Sequence, residues 1–204
     1  MKRTTRPYSK TPSRKVQKTA PKTVIYKQPS TNVRLVKRHS NFGNIAVNPI
    51  TGAQGALVFT LSQVPGFSEL TAMYDRYKVN AVEVTFYPKV NGIHTVGLAD
   101  TPEPARLLTC IDYTDSAPPA NADEVREYES CECTVIYEKH TRYVPYPKVV
   151  DSVSSTRSTY ISTASPSERL YGLKFAVEPT GNTGPGIMNY NVEVVYYMSF
   201  KDLK

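Results

Sequence analysis

Apolar and polar positions alternate with a period of two along much of this chain, which is typical of half-buried β-strands. The pattern is clearest near the C-terminus, where apolar side chains occupy every second position at Val192, Val194, Tyr196, Met198 and Phe200. Strands are also predicted at 33–47, 56–61, 78–88, 93–99, 106–113, 133–138, 141–147 and 171–177.

One stretch follows the helical period instead. Leu70, Met73, Tyr74 and Tyr77 recur at i, i+3, i+4 and i+7, and Ser68 stands where an N-cap is expected. Eight or nine strands with almost no helix predict an all-β sandwich or barrel. This pattern does not distinguish immunoglobulin-like, jelly-roll and lectin-like sandwiches.

Long loops are expected between these strands. Turn-forming residues fill 114–122 and 178–187, and a Ser/Thr-rich stretch with little apolar content occupies 151–168. The acidic run 123–132 is expected to be a solvated loop, with a calcium ion at a subunit boundary as the alternative.

Charge divides the chain into two parts. Residues 1–40 carry twelve Lys or Arg and no acid, a charge of +12. Residues 41–204 carry thirteen bases (25 − 12) and eighteen acids, a charge of 13 − 18 = −5. Four prolines and the lack of any apolar period predict that 1–40 is a largely disordered basic arm. Residues 41–204 are then expected to form a single domain.

The basic arm is suited to a polyphosphate, because each neutralised phosphate releases a condensed counterion. Two tyrosines in it can stack on unpaired bases, which favours single strands over duplex. Nuclear import, which is compatible with this role, and a solvated tail without a partner are the other interpretations. The predicted nucleic-acid-binding residues are Lys2, Arg3, Arg6, Tyr8, Lys10, Arg14, Lys15, Lys18, Lys22, Tyr26, Lys27, Arg34, Lys37 and Arg38.

Several classes of protein are disfavoured. The sequence contains no run of eighteen apolar residues, so no membrane span is predicted. The basic start also lacks the apolar stretch of a secretory signal. Three cysteines, an odd number, are expected to be free thiols in a reducing compartment. With three histidines, no nucleophile motif and no phosphate-binding loop, no catalytic residue and no cofactor is expected.

Two clusters of polar residues invite a functional interpretation. Cys131 and Cys133 lie near His140 in sequence, but their C-x-C spacing is not that of a zinc site, so no metal is expected. His140, Arg142 and Lys148 are expected either to line an inner surface against nucleic acid or to be ordinary charges of a surface strand.

The stretch 59–88 (FTLSQVPGFSELTAMYDRYKVNAVEVTFYP) resembles the capsid proteins of circoviruses and related circular single-stranded DNA viruses. The similarity lies in an F-x-L strand, a short helix with S/E-E-F/L and a strand of the form D-x-Y-R/K-I/V-x-x-V-x-V-x-F. The matching positions are Phe59, Leu61, Ser68, Glu69, Leu70, Asp75, Tyr77, Lys78, Val79, Val82, Val84 and Phe86.

The resemblance implies an eight-stranded jelly roll, a homo-oligomeric T=1 shell of sixty copies and a packaged circular single-stranded DNA genome. The chain is therefore expected in the virion, with assembly in the host nucleus after import. Because no apolar run is long enough to span a bilayer, no membrane insertion is expected. The arms of circoviruses are dominated by Arg, whereas this arm has seven Lys and five Arg, so the chain is placed among their relatives.

Two further functions remain open. A small RNA virus or satellite can use the same jelly roll in its capsid. A monomeric nucleic-acid-binding β-barrel is the other alternative, and it should display surface Phe or Tyr among Lys and Arg.

Overall fold

The computed structural model describes residues 33–90, 105–149, 160–179 and 188–204. Among these residues it contains ten β-strands, two short α-helices and one 3-10 turn, at Leu61–Gln63. The helices are α1 (Phe67–Met73) and α2 (Ala122–Arg126). The strands are β1 (Val33–Val47), β2 (Ala53–Phe59), β3 (Tyr74–Val90), β4 (Arg106–Ile111), β5 (Glu132–Val135), β6 (His140–Pro145), β7 (Lys148–Val149), β8 (Ile161–Ser162), β9 (Leu170–Val177) and β10 (Met188–Leu203).

The strands form two antiparallel sheets. Sheet one has the order β1-β10-β3-β6 with β8 beside β3, and sheet two has the order β2-β9-β4-β5 with β7 beside β9. Each sheet therefore has four main strands, and the chain passes repeatedly from one sheet to the other. This arrangement is a jelly roll, which confirms the all-β prediction and the fold implied by the resemblance.

The core lies between the sheets and is built from the strands whose alternation was clearest. Val194 and Tyr196 of β10 lie opposite Val84 and Val82 of β3, and all four side chains are buried. Antiparallel partners share a face, so the apolar positions of β3 and of β10 point to the same side of the sheet and pack against one another.

Strand β9 is buried on both faces. Leu173 and Phe175 join the main core, whereas Ala176 packs on the outer side of sheet two with Leu108 and Val125 of α2. Helix α2 belongs to residues 112–131, which we call the covering segment. A second, smaller hydrophobic cluster therefore forms beneath that segment.

The helix predicted over Leu70 to Tyr77 is wrong in its second half. Helix α1 ends at Met73, and Tyr74 and Tyr77 lie on β3 opposite Leu203 and Phe200. Burial against β10 outweighs the helical spacing, and Tyr favours strands. The N-cap is Gly66, with φ of 74°, and Ser68 lies inside the helix.

Other predictions differ at their boundaries. The strand expected at 133–138 ends at Val135, and Ile136 is buried in the turn that follows. Helix α2 begins at the last residue of the loop expected at 114–122 and lies mostly in the acidic run 123–132, which was expected to be a solvated loop. The strand expected at 93–99 lies outside the described residues, as do most of the loop at 178–187 and half of that at 151–168. None of the helices in the described ranges is long and apolar enough to cross a membrane.

Candidate nucleic-acid interface

Three of the fourteen predicted nucleic-acid-binding residues, Arg34, Lys37 and Arg38, lie within the described residues. All three are exposed on β1, which begins at Val33. The last part of the 1–40 segment is therefore a sheet strand, in agreement with the extended segment expected at 33–47. The other eleven predicted residues lie outside the described residues.

Strand β1 is an edge strand of sheet one, and its register separates these three bases. Lys37 lies opposite Tyr197 on the outer face of the sheet. Arg34 and Arg38 lie opposite the core residues Phe200 and Tyr196, on the other face. The guanidinium of Arg38 donates a hydrogen bond to the carbonyl of Lys37 at 3.2 Å.

The outer face of sheet one carries a cluster of basic side chains. Cross-strand partners share a face, so the register of β1, β10, β3 and β6 identifies which residues lie there. The bases of this face are Lys37, Arg76, Lys78, Lys89, Lys139 and Lys201. Its carboxylates are Glu83, Glu193 and, at the rim beside Arg76 and Lys201, Asp202. Six bases against three acids make the face basic.

Tyrosine rings lie beneath four of these lysines. A lysine nitrogen lies 5.2 Å from the ring centroid of Tyr197, 5.4 Å from those of Tyr146 and Tyr87, and 4.4 Å from that of Tyr160. Such cation–π contacts are favourable even at exposed sites. A fifth ring, Tyr143, meets Tyr197 edge-on at 6.3 Å. We call this surface the lysine–tyrosine face.

The lysine–tyrosine face was not predicted from the sequence. The net charge of residues 41–204 is −5, and a domain with this negative charge was not expected to carry a surface row of Tyr among Lys. The sequence pattern that could have predicted this face is the set of alternating positions on β3 and β10 that point away from the core. These positions include Lys78, Tyr87, Lys89, Tyr197 and Lys201.

Part of the acidic charge lies on the opposite side of the sandwich, in the covering segment. That segment carries one base, Arg126, and six acids: Asp112, Asp115, Asp123, Glu124, Glu127 and Glu129. Arg126 pairs with Asp123 and Glu178. The acidic run is thus partly helical and ion-paired, and the two outer surfaces of the subunit differ in charge.

A buried ion pair fixes the covering segment to sheet two. Lys174 of β9 lies 2.7 Å from carboxylate oxygens of both Asp112 and Asp115. Asp112 also accepts hydrogen bonds from Thr114 and Tyr128. Burial alone would raise the pKa of Asp112, but the hydrogen bonds from Lys174, Thr114 and Tyr128 outweigh it and lower the pKa to about 2.

His140 and Arg142 do not have the surface positions that were expected. Both are buried on the inner face of β6. The His140 ring nitrogens lie 2.7 Å and 2.6 Å from the hydroxyl oxygens of Thr109 and Thr134, which belong to sheet two. Arg142 pairs with Glu132 and donates to the carbonyl of Ser130 at 2.6 Å. These residues connect the sheets and do not line a surface.

Lys148, the third residue of that cluster, is half-buried. Its amino group lies 5.1 Å from the ring centroid of Tyr113. It therefore packs on an aromatic ring at the start of β7.

The three cysteines are free thiols, with Cys110 buried, Cys131 half-buried and Cys133 exposed. Burial, reinforced by the nearby Asp112 carboxylate, raises the pKa of the Cys110 thiol to about 11, which makes it a poor nucleophile. Within the part of the chain that the structure describes, no group of three or more His, Cys, Asp or Glu side chains could hold a metal ion.

Comparison with known proteins agrees with the fold. The family model described as circovirus capsid protein matches residues 4–204. The solved structure of a decameric BFDV capsid protein superposes with a TM-score of 0.58 at 15% identity, covering 83% of this chain and 99% of that one. No curated protein gives a significant match.

Two more solved capsids are similar. The 60-mer of the BFDV capsid protein has a TM-score of 0.54 at 14% identity, covering 85% of this chain and 96% of that one. The structure of Cocksfoot mottle virus has a TM-score of 0.54 at 10% identity, with 85% and 97% covered. At these identities the likeness concerns the fold.

Proposed function

Because the chain belongs to the circovirus capsid protein family, we propose that sixty copies assemble into a T=1 icosahedral shell that packages a circular single-stranded DNA genome through the basic arm. The protein is a structural component of a virion and not an enzyme. The assembly geometry, the genome type and the role of the arm are the proposed parts.

The observation that carries the role of the arm is the separation of charge. Twelve bases precede position 41 without a single acid, whereas the rest of the chain is net acidic. Sixty copies would bring about 720 positive charges to one enclosed volume, which suits a genome of one to a few thousand nucleotides by counterion exchange.

The shape of the subunit supports closure into a shell. The similar BFDV capsid protein forms a decamer and a 60-mer with the same fold. Repeated identical contacts between copies close into a symmetric particle when the rotation between neighbours closes. The arm continues directly into the edge strand β1, so each copy would bring one arm to the same position relative to its neighbours.

The test replaces by Gln the nine bases that precede β1, in the full-length chain: Lys2, Arg3, Arg6, Lys10, Arg14, Lys15, Lys18, Lys22 and Lys27. The control exchanges Lys for Arg and Arg for Lys at the same nine positions, which preserves the charge. We expect the control to protect polynucleotide from nuclease and the Gln variant to assemble without it.

The same variants give a quantitative measure with single-stranded DNA. The slope of log K against log salt should fall by about 6 in the Gln variant, at about 0.7 for each lost phosphate contact. A Gln variant that packages DNA with an unchanged slope would show that the arm is not the binding element. Identification of the sugar in protected nucleic acid separates this proposal from a capsid of an RNA virus.

Nuclear import through the same bases is a further part of the proposal. We expect the wild-type chain to accumulate in the nucleus of transfected cells and the Gln variant to remain in the cytoplasm.

A further inference from the structure

We propose that the lysine–tyrosine face is a second nucleic-acid surface, on which unpaired bases stack on tyrosine rings while lysines contact the neighbouring phosphates. This inference rests on the proposed function for the identity of the strand, which is the packaged single-stranded genome. It adds a site in the folded domain, separate from the bases of residues 1–32.

Several of the rings are accessible to a ligand. Tyr143 and Tyr146 are 57% and 56% exposed, and Tyr87 is 36% exposed. Large aromatic side chains gain hydrophobic free energy from burial, so leaving three of them open on one sheet face is unusual unless they meet a partner. Base–aromatic stacking is sequence-tolerant, because every base has a π-face.

The lysines provide charge beside each platform. Lys78 lies over Tyr146 and Lys139 lies over Tyr87, so two of the three accessible rings have a cation beside them. A base and its own phosphate are joined by a short sugar linkage, and a strand therefore needs both groups close together. Alternating rings and cations are the arrangement found in grooves that bind single strands.

The spacing of the rings favours a single strand with splayed bases. Tyr143 lies opposite Glu83 on β3, and Tyr87 lies four residues further along the same strand. Four residues of strand span about 14 Å, whereas stacked bases in a duplex rise about 3.4 Å per step. A duplex could not place successive bases on these rings.

The acids of the face define where phosphates can pass. Glu83 lies near the middle of the sheet, where it accepts a hydrogen bond from the Tyr197 hydroxyl at 3.3 Å. The cations lie toward the ends, with Lys37 and Lys78 on one side and Lys89 with Lys139 on the other. The backbone of a bound strand would therefore cross the two ends of the sheet, and its bases would lie between.

A second copy of the chain is the competing occupant, since its acidic covering segment has the opposite charge. The nucleic acid is favoured because the basic arm joins the sheet at Val33, in the same cross-strand row as Lys201 and Arg76. A strand held by the arm is thus delivered to the edge of this face.

The test compares two ligands of equal length and charge: oligothymidine and a strand of abasic sugar phosphates. Binding to full-length, unassembled subunits is measured by fluorescence anisotropy at low and high salt. High salt weakens the contribution of the arm to both ligands, whereas stacking is much less affected. We expect the wild type to prefer oligothymidine by at least about 5-fold for each ring engaged.

The informative variant combines Tyr143→Thr with Tyr87→Thr, because Thr keeps the strand preference but removes the ring. It should lose about 25-fold or more of the preference for oligothymidine. Replacing the same two residues by Phe should retain that preference. Tyr137→Thr is the matched control, since Tyr137 is 53% exposed but lies in the turn after β5, outside the lysine–tyrosine face.

Each outcome decides a different question. Equal affinity of the wild type for both strands would overturn this inference and leave the proposed role of the arm's lysines and arginines standing, because these side chains act on phosphates that both strands carry. A Thr double variant that binds oligothymidine normally but no longer assembles would show that the face contacts another copy. If the abasic strand does not bind even at low salt, the arm proposal itself is wrong.

Discussion

Substitution of Lys174 by Met tests the role of the buried ion pair beneath the covering segment. The side chains of Lys174 and Asp112 are 3% and 2% exposed, so neither charge is solvated by water. Removing one partner of such a pair typically costs 3–5 kcal/mol, because a charge stays buried without compensation. We expect about 3 kcal/mol at neutral pH, since Asp112 keeps its bonds from Thr114 and Tyr128.

The pH dependence of that loss is a sharper test than its size. The pKa of Asp112 in the folded wild type is lowered to about 2, from 3.8. This lowering stabilises the wild type by about 2 kcal/mol above pH 4, and the contribution is lost as the pH falls through 2. Without Lys174, burial favours the protonated acid instead. Protonation of Asp112 at low pH therefore destabilises the wild type, whereas in the variant it removes an uncompensated buried charge. The difference in unfolding free energy between the two proteins should shrink toward pH 3.

Urea unfolding of unassembled subunits, followed by far-UV circular dichroism, gives both free energies. Lys89→Met is the control, because Lys89 is exposed and hydrogen-bonded only to Asn44 among the contacts described for it. Its effect should stay within about 0.5 kcal/mol. A loss below about 1 kcal/mol for Lys174→Met, or a loss that does not change with pH, would refute this account of the pair.

Two further predictions concern the sandwich itself. Burial lowers the pKa of His140, so the stability that its neutral form contributes is fully present above about pH 6.5 and is lost as the pH falls through the lower pKa of the folded state. Between pH 7 and 5, the unfolding free energy of His140→Gln should therefore fall less than that of the wild type. An equal fall in the two proteins would contradict this. Gly52→Ala should cost about 2–4 kcal/mol, because φ is 73° and the added Cβ would lie 2.1 Å from the carbonyl oxygen of Val177. Gly43→Ala, with φ of 91° and no atom within 4 Å, should cost only about 1 kcal/mol of backbone strain in the same urea assay. Equal losses for the two glycine variants would show that the close contact at Gly52 is relieved.

The sequence predicted the parts of the fold in which local pattern and tertiary burial agree. The alternating residues of β10 and β3 form the centre of the core as expected. The helix boundary was wrong because Tyr74 and Tyr77 satisfy both a helical spacing and a strand position. Pairing with β10 decides between them, and that pairing joins residues more than a hundred positions apart.

The interior polar residues could not be assigned from sequence for a related reason. His140 and Arg142 occupy alternate positions on an edge strand, a pattern that usually indicates a solvated face. Their partners, Thr109, Thr134 and Glu132, belong to the other sheet, and only the three-dimensional arrangement brings them together. Burial of both faces of β9 is likewise set by the covering segment, which is distant in sequence.

The candidate site was predicted in part. The concentration of bases in residues 1–40 is a local property of the sequence and is visible by counting. The lysine–tyrosine face is assembled from four strands and their flanking turns, and the sum of charges over 41–204 conceals it.

The pairing of β1 with β10 has a mechanical consequence for whatever is attached before Val33. The two strands are matched at fourteen positions, from Val33 opposite Lys201 to Val47 opposite Met188. A pull on the chain along the axis of β1 loads these backbone hydrogen bonds together, in shear, so they cannot unzip one by one. The subunit should therefore resist a pulling force applied to the segment before Val33 without β1 separating from the sheet.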